Sequence, residues 1–242
     1  MAMNYADYLA QNRQRESSNA SDLRIDIVAD FVCPWCYLGK RRLDAALDAV
    51  HGPRLVTWFP YQLNPEMPAE GMSMDEYLTS RFGSPDVIAS GLDALTHTGR
   101  REGIRFRFDR IERVPNTLDA HRLMYLAKAA GADAGAVAED LMSAFLSRGE
   151  DIAKRDLLVS IGESQGLSAD AIQTVLNDGA SKKVVLEQEQ QMRDSGIAGA
   201  PVFLVNQRYF VSGAQTVDAL IGAFDRAMFG DASSSGEPEI LH

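Results

Sequence analysis

The sequence predicts an α/β fold in which a small mixed sheet is assembled from the two ends of the chain around an inserted all-helical segment. Three observations carry this expectation. Strand-like patterning is confined to positions 24–61 and 202–211. From about Ser73 to Ser195 the apolar residues recur at helical spacing, with almost no strand signal. The run Gly196-Ile197-Ala198-Gly199-Ala200-Pro201 then separates the helical block from the closing strands.

Apolar and polar residues alternate over Arg24 to Phe31, RIDIVADF, which predicts a strand. From Pro34 to Val50 the pattern is helical, with Leu38, Leu43, Ala46, Leu47 and Val50 on one face, and His51-Gly52-Pro53 stops it. Arg54 to Tyr61 reads as a second strand, and Asn64 to Met72, with Pro65, Pro68 and Gly71, as a loop. Amphipathic helices are expected over Met74 to Phe82, Asp86 to Glu102, Thr117 to Ala130 and Ala136 to Ser147. Three more are expected over Lys154 to Gln165, Ala169 to Asn177 and Ser181 to Ser195. Short strands over Val202 to Val205 and Tyr209 to Val211 are joined at Asn206-Gln207-Arg208, and a helix over Thr216 to Phe229 follows.

The expected organisation is a sheet-bearing domain from 23–72 and 196–229, a helical insertion over 73–195, a polar extension over 1–22 and a disordered tail over 230–242. A strand-helix-strand unit returning to a parallel neighbour, closed by an antiparallel hairpin and a helix, is a thioredoxin-type arrangement interrupted by an insertion.

A chain of 242 residues with 45% hydrophobic content can bury a proper core. No run of eighteen apolar residues exists and the first 22 positions are polar, so neither a membrane span nor a secretory signal is expected, and the expected compartment is the cytoplasm. With 34 acidic against 24 basic residues the net charge is -10, which argues against nucleic acid as a partner. The two cysteines stand at 33 and 36. No disulfide scaffold is therefore available, and any disulfide here is a functional one.

A Cys-x-x-Cys placed where a strand ends and a helix starts sets the first sulfur beside unpaired N–H groups and the positive end of the helix dipole. Both favour a thiolate, the nucleophile of disulfide exchange, so Cys33 is the candidate attacking thiol. Cys36 lies one turn later on the same face and is the candidate resolving thiol. Pro34 fits the first helical turn without a catalytic role. Trp35 has two readings: it influences the potential and the partner surface, or it caps the core. Tyr37 either donates a hydrogen bond near the site or packs. A zinc site would need further ligands; His51, His97, His121 and His242 are not paired at metal spacing, so no metal is expected. Ala200-Pro201 reads either as a strand-start proline or as a cis-proline whose preceding backbone groups meet a substrate backbone.

The segments Asp30 to Gly39 (DFVCPWCYLG), Pro115 to His121 (PNTLDAH) and Gly199 to Asn206 (GAPVFLVN), with Val211 to Gln215 (VSGAQ), resemble the FrnE-type DsbA-like oxidoreductases from about Arg24 to Phe229. The resemblance implies a thioredoxin-like fold with an inserted helical domain, Cys33 as nucleophile, Cys36 as resolver and Pro201 as a cis-proline facing them. It also implies that Asn116, Thr117 and His121 stand near the cleft, His121 as proton carrier or thiolate partner. Read by itself, a histidine on a helix beside Leu118 and Leu123 is a satisfied core residue. Asp30 either eases proton transfer or caps the coming turn.

The same superfamily holds 2-hydroxychromene-2-carboxylate isomerases and kappa-class glutathione transferases, which usually carry Ser where Cys33 stands. This chain keeps both cysteines and reads Ser212-Gly213-Ala214-Gln215 where that branch tends to place an acidic residue for glutathione. A glutathione-dependent isomerase or transferase is thus the alternative function, and a non-catalytic, redox-sensitive client-binding module with a Met67, Met72 and Met74 patch is a third. No cofactor beyond the redox-active disulfide is expected, with glutathione left open as co-substrate. The expected partner is a protein or small molecule carrying a disulfide or thiol; a homodimer is left open. The stretch Glu187 to Arg193 is expected to be a solvated face, as are Gly99-Arg100-Arg101 and Arg105-Phe106-Arg107, unless the latter arginines meet an anionic ligand.

Overall fold

The computed structural model describes residues 23–230 and the backbone of 239–241. The extension over 1–22, and 231–238 and 242 of the tail, lie outside the described residues. In chain order the elements begin with β1 (Leu23–Ala29), α1 (Pro34–Ala49), β2 (Arg54–Pro60), β3 (Met72–Ser73), α2 (Met74–Phe82) and α3 (Pro85–Arg101). A 3-10 turn (Phe108–Arg110), β4 (Arg113–Val114), α4 (Leu118–Ala130), α5 (Ala134–Ser143) and a π-helical turn (Ala144–Arg148) follow. The chain ends through α6 (Arg155–Ser164), α7 (Ala169–Asn177), α8 (Gly179–Asp194), β5 (Val202–Val205), β6 (Tyr209–Ser212), α9 (Val217–Phe229) and β7 (Glu239–Leu241).

The described residues fall into two compact units, one from 23–30, 39–61, 183–230 and 239–241, the other from 31–38 and 62–182. The first is the sheet unit, with strand order β2-β1-β5-β6-β7. β1 runs parallel to β2 from Leu23 opposite Arg54 to Ala29 opposite Pro60, and antiparallel to β5 from Ile25 opposite Val205 to Val28 opposite Val202. β5 and β6 form the expected antiparallel hairpin. β1 lies between β2 and β5, and Asp26, which sequence alternation puts on a polar face, is buried together with Ile25, Ile27 and Val28, so both faces of this central strand are covered. The hairpin turn places Asn206 and Gln207 at positive φ, 46° and 57°. Asn206 Oδ1 accepts the Arg24 N–H at 2.7 Å and its Nδ2 donates to Ala227 O at 3.3 Å, so one turn residue fastens the start of β1 and the end of α9.

Two expectations are corrected in this unit. The disordered tail expected over 230–242 is not found at Glu239–Leu241, which pairs in parallel with β6 and gives the ladder groups of that strand a partner. The Glu187 to Arg193 stretch is not a solvated face, since Gln188, Glu189 and Met192 are buried. Arg193 bonds Glu189 Oε1, one helical turn away, at 2.6 Å and lies over the Tyr61 ring, 4.1 Å from its centroid, so the long-range partner of this stretch is Tyr61.

The second unit is helical, with a two-residue ladder of β3 and β4 that is too short for any periodicity to announce. Ser73 and Glu76 form a capping box, Ser73 Oγ accepting the Glu76 N–H at 3.2 Å, and this fixes the start of α2 at Met74. Arg122, buried on α4, donates to Asp119 Oδ1, Ser181 Oγ and the carbonyls of Val175 and Asp178. One cation thereby satisfies the C-terminal carbonyls of α7 and ties α4 to the start of α8. The unit differs from the expected 73–195 insertion: it begins at 62, ends at 182, and includes 31–38. The cause for 31–38 lies in side-chain partners. Phe31 packs on His121, Tyr37 on Phe106, and Tyr37 bonds Glu139.

Candidate active site

β1 stops at Ala29, Asp30 is fully buried, and the chain turns over Phe31 and Val32 into α1. Cys33 stands at the cap position of this helix: its carbonyl accepts the Tyr37 N–H at 3.2 Å and its Sγ accepts the Cys36 N–H at 3.3 Å. A sulfur here fills the role that a serine or aspartate oxygen fills at other helix starts. Pro34 takes the first helical position, where its missing N–H would have had no intrahelical partner. The donor aimed at Sγ and the aligned peptide dipoles behind it both favour negative charge on the Cys33 sulfur.

Both sulfur-bearing residues are buried, Cys33 with 3% and Cys36 with 1% of its surface exposed. Trp35 between them is 49% exposed. About half of its surface thus stands outside the core. Tyr37, fully enclosed, does both things the sequence left open: its ring meets Phe106 edge-on at 6.2 Å and its hydroxyl donates to Glu139 Oε1 at 2.6 Å.

His121 belongs to the same unit as the cysteines. It is buried on the first turn of α4, and its ring lies 4.7 Å from that of Phe31, two residues before Cys33. Asn116 is also in this unit, but its amide is engaged with the protein itself: Nδ2 donates to Met67 O at 2.7 Å and Oδ1 accepts the Leu118 N–H at 2.9 Å. That pattern ties the 62–72 loop to the start of α4. Ala200 and Pro201 fall in the sheet unit, where the peptide bond between them is cis. There Pro201 leads into β5 and sits against α1 at Gly39, where an added Cβ would stand 3.2 Å from Pro201 Cγ and 3.0 Å from Phe203 Cζ.

A cavity of about 440 Å³ opens beside the first cysteine, with Cys33, Pro34 and Trp35 on one wall and apolar side chains of α2 and α3 on the others. Sequence reading identifies these helices as amphipathic without indicating that their apolar faces leave a space. Glu139 had no signal either, because its partner Tyr37 is 102 residues away. Within the Arg105 to Arg107 segment the Arg107 guanidinium donates to both carboxylate oxygens of Asp109, which holds Asp109 below its ordinary carboxylate range and raises Arg107 in turn. Among the described residues no cluster of three His, Cys, Asp or Glu side chains is placed to hold a metal ion, and no helix is long and apolar enough to cross a membrane.

The chain matches the DSBA-like thioredoxin domain family over residues 24–225. A Streptomyces coelicolor protein described as a probable DsbA oxidoreductase superposes with a TM-score of 0.79 at 28% identity, covering 88% of this chain and 93% of that one. A 2-hydroxychromene-2-carboxylate isomerase shares the fold at TM-score 0.65 and 17% identity, over 84% of this chain and 95% of its own. The cytosolic disulfide reductase DsbM of Pseudomonas aeruginosa, in a structure with glutathione, does so at TM-score 0.58 and 18% identity, over 85% and 95%. No curated protein sequence matches the chain.

Proposed function

Because the chain belongs to the DSBA-like thioredoxin domain family, we propose that it is a thiol–disulfide oxidoreductase whose electron carrier is the Cys33 and Cys36 pair. The observation that carries this reading is the 3.3 Å hydrogen bond from the Cys36 N–H to Cys33 Sγ at the head of α1. It supports Cys33 as the nucleophile, since a backbone donor and a helix dipole behind a sulfur both favour negative charge on it.

In the reducing direction the Cys33 thiolate attacks one sulfur of a substrate disulfide. A Cys33–substrate S–S bond forms, the substrate S–S bond breaks and the first thiolate leaves. The Cys36 thiolate then attacks Cys33 Sγ, closing the Cys33–Cys36 disulfide and expelling the second thiolate. Two electrons pass from the dithiol to the substrate, and its two protons end on the released thiols. The dithiol needs no prosthetic group. A low-molecular-weight thiol such as glutathione would return it to the reduced state, acting as co-substrate, and run in reverse the same steps would oxidise a dithiol substrate.

The test is exchange with a model protein disulfide by the wild type, Cys33→Ser and Cys36→Ser, run beside a glutathione-conjugation assay. The proposal expects exchange that is lost in Cys33→Ser and a trapped mixed disulfide in Cys36→Ser. Absence of exchange, with glutathione chemistry that survives Cys33→Ser, would replace it with the isomerase or transferase alternative.

A further inference from the structure

The cavity beside Cys33 is larger than a packing defect and differs in character from the rest of the surface. Its volume of about 440 Å³ lies within the roughly 300–1,000 Å³ range of small-molecule sites. Among the described residues that line it, Arg81 is the one charged side chain; the walls are otherwise built from residues such as Leu78, Ile88, Leu92 and Leu95. At its rim stand Trp35, Phe82 and Val87, exposed by 49%, 53% and 59%, so three of the large exposed hydrophobic side chains gather at one opening. Singly exposed hydrophobic residues need no explanation, but a cluster around a concave apolar space marks a binding surface.

We infer that the cavity receives the apolar body of a low-molecular-weight organic disulfide and holds its sulfur against Cys33. This rests on the oxidoreductase reading and names its substrate class. Cys33 lines the cavity wall, so a substituent bonded to the attacked sulfur extends directly into the space. The walls offer too few polar groups to replace the hydration of a polar substituent or of a polypeptide backbone, and a concave space of this volume has room for a ring system. In the step itself the Cys33 thiolate attacks the sulfur bearing the apolar group, the other sulfur leaves as thiolate, and Cys36 then displaces the apolar thiolate. One dithiol is oxidised and one disulfide reduced, so a single turnover of the reduced protein needs no further reactant.

The experiment uses the full chain, reduced beforehand, with 2-pyridyl disulfides carrying a hydroxyethyl, a hexyl or a naphthylmethyl group. All three release the same pyridine-2-thione, and each rate is divided by that of dithiothreitol with the same probe. The inference expects the naphthylmethyl probe to react about a hundredfold faster than the hydroxyethyl probe, with hexyl between. A second arm fills the cavity. A Cβ at Gly91, on α3, meets nothing within 4 Å, so Gly91→Phe projects a ring into the space and removes a helix-interior glycine; it should bring the three relative rates within a few-fold of one another.

Equal relative rates in the wild type, with thione still released, would overturn the inference and leave the oxidoreductase reading standing. Thione release from none of the probes would overturn both. A preference that survives Gly91→Phe in a protein with unchanged circular dichroism would remove the cavity as its cause. Faster reaction with a cysteinyl-peptide pyridyl disulfide than with the naphthylmethyl probe would replace the small molecule with a polypeptide client.

Discussion

Tyr37 donates its phenolic hydrogen to Glu139 Oε1 at 2.6 Å, linking the first turn of α1 to α5 across 102 positions of sequence. The tyrosine is buried, so its hydroxyl has exchanged water for this one acceptor. Tyr37→Phe keeps the edge contact with Phe106 and deletes the bond. It should lower the unfolding free energy by about 2 kcal/mol, the magnitude of a hydrogen bond to a carboxylate. Urea denaturation followed by circular dichroism reads this directly, and an unchanged midpoint would mean that the bond contributes nothing net.

The capping role of Cys33 makes its two obvious substitutions unequal. Serine places an oxygen where Sγ accepts the Cys36 N–H, whereas alanine leaves that donor without its acceptor. Cys33→Ala should therefore be less stable than Cys33→Ser by about 1 kcal/mol, the cost of a lost N-cap. Neither variant can form the Cys33–Cys36 disulfide, so the difference between their thermal or urea midpoints isolates the cap. Identical midpoints would show that the sulfur does not stabilise the helix start.

Asn206 combines a positive φ with two tertiary hydrogen bonds, and the contributions can be separated. Asn206→Ala loses both bonds and also the tolerance of the left-handed region that sets asparagine apart from alanine, for a total of about 3 kcal/mol. Asn206→Gly loses the same bonds but relieves the backbone, so it should cost about 1 kcal/mol less than alanine. Equal losses in the two variants would assign the whole effect to the bonds to Arg24 and Ala227.

How much of this was legible in the sequence depended on whether the signal was local. The helices over Met74 to Phe82 and Ala169 to Asn177 could be read because their apolar residues recur at helical spacing within each segment, and local caps at Ser73 and Ser168 close their starts in the structure. The dithiol at the head of α1 was legible for the same reason: strand, cysteine, proline and helix follow one another within a few positions. What escaped depends on distant partners. The polar stretch around Glu189 and Arg193 reads as solvated until Tyr61 is brought against it. Segment 31–38 reads as part of the sheet domain until Glu139, Phe106 and His121 claim it. The cavity escaped differently: the apolar faces of α2 and α3 are visible as periodicity, but periodicity does not distinguish a face packed against a neighbour from one that lines a space.

Asp178 provides the pH-dependent test. Its Oδ1 accepts the Ser181 N–H at 2.6 Å at the start of α8. That backbone bond, with help from the Ser181 hydroxyl and the charge of Arg122, holds the carboxyl below its ordinary value of 3.8. A group whose folded value is depressed contributes stability that is present above its unfolded value and is lost as the pH falls through the folded one. The wild type should thus exceed Asp178→Asn in stability at neutral pH by an amount that stays constant down to about pH 5, because asparagine retains the cap but not the charge. Below that the gap should shrink, closing towards zero once Asp178 is protonated in the folded state. Urea denaturation of both proteins at a series of pH values from 7 to about 2 measures it. A gap that does not vary across the series would show that the carboxylate charge is not what Ser181 and Arg122 stabilise at this helix start.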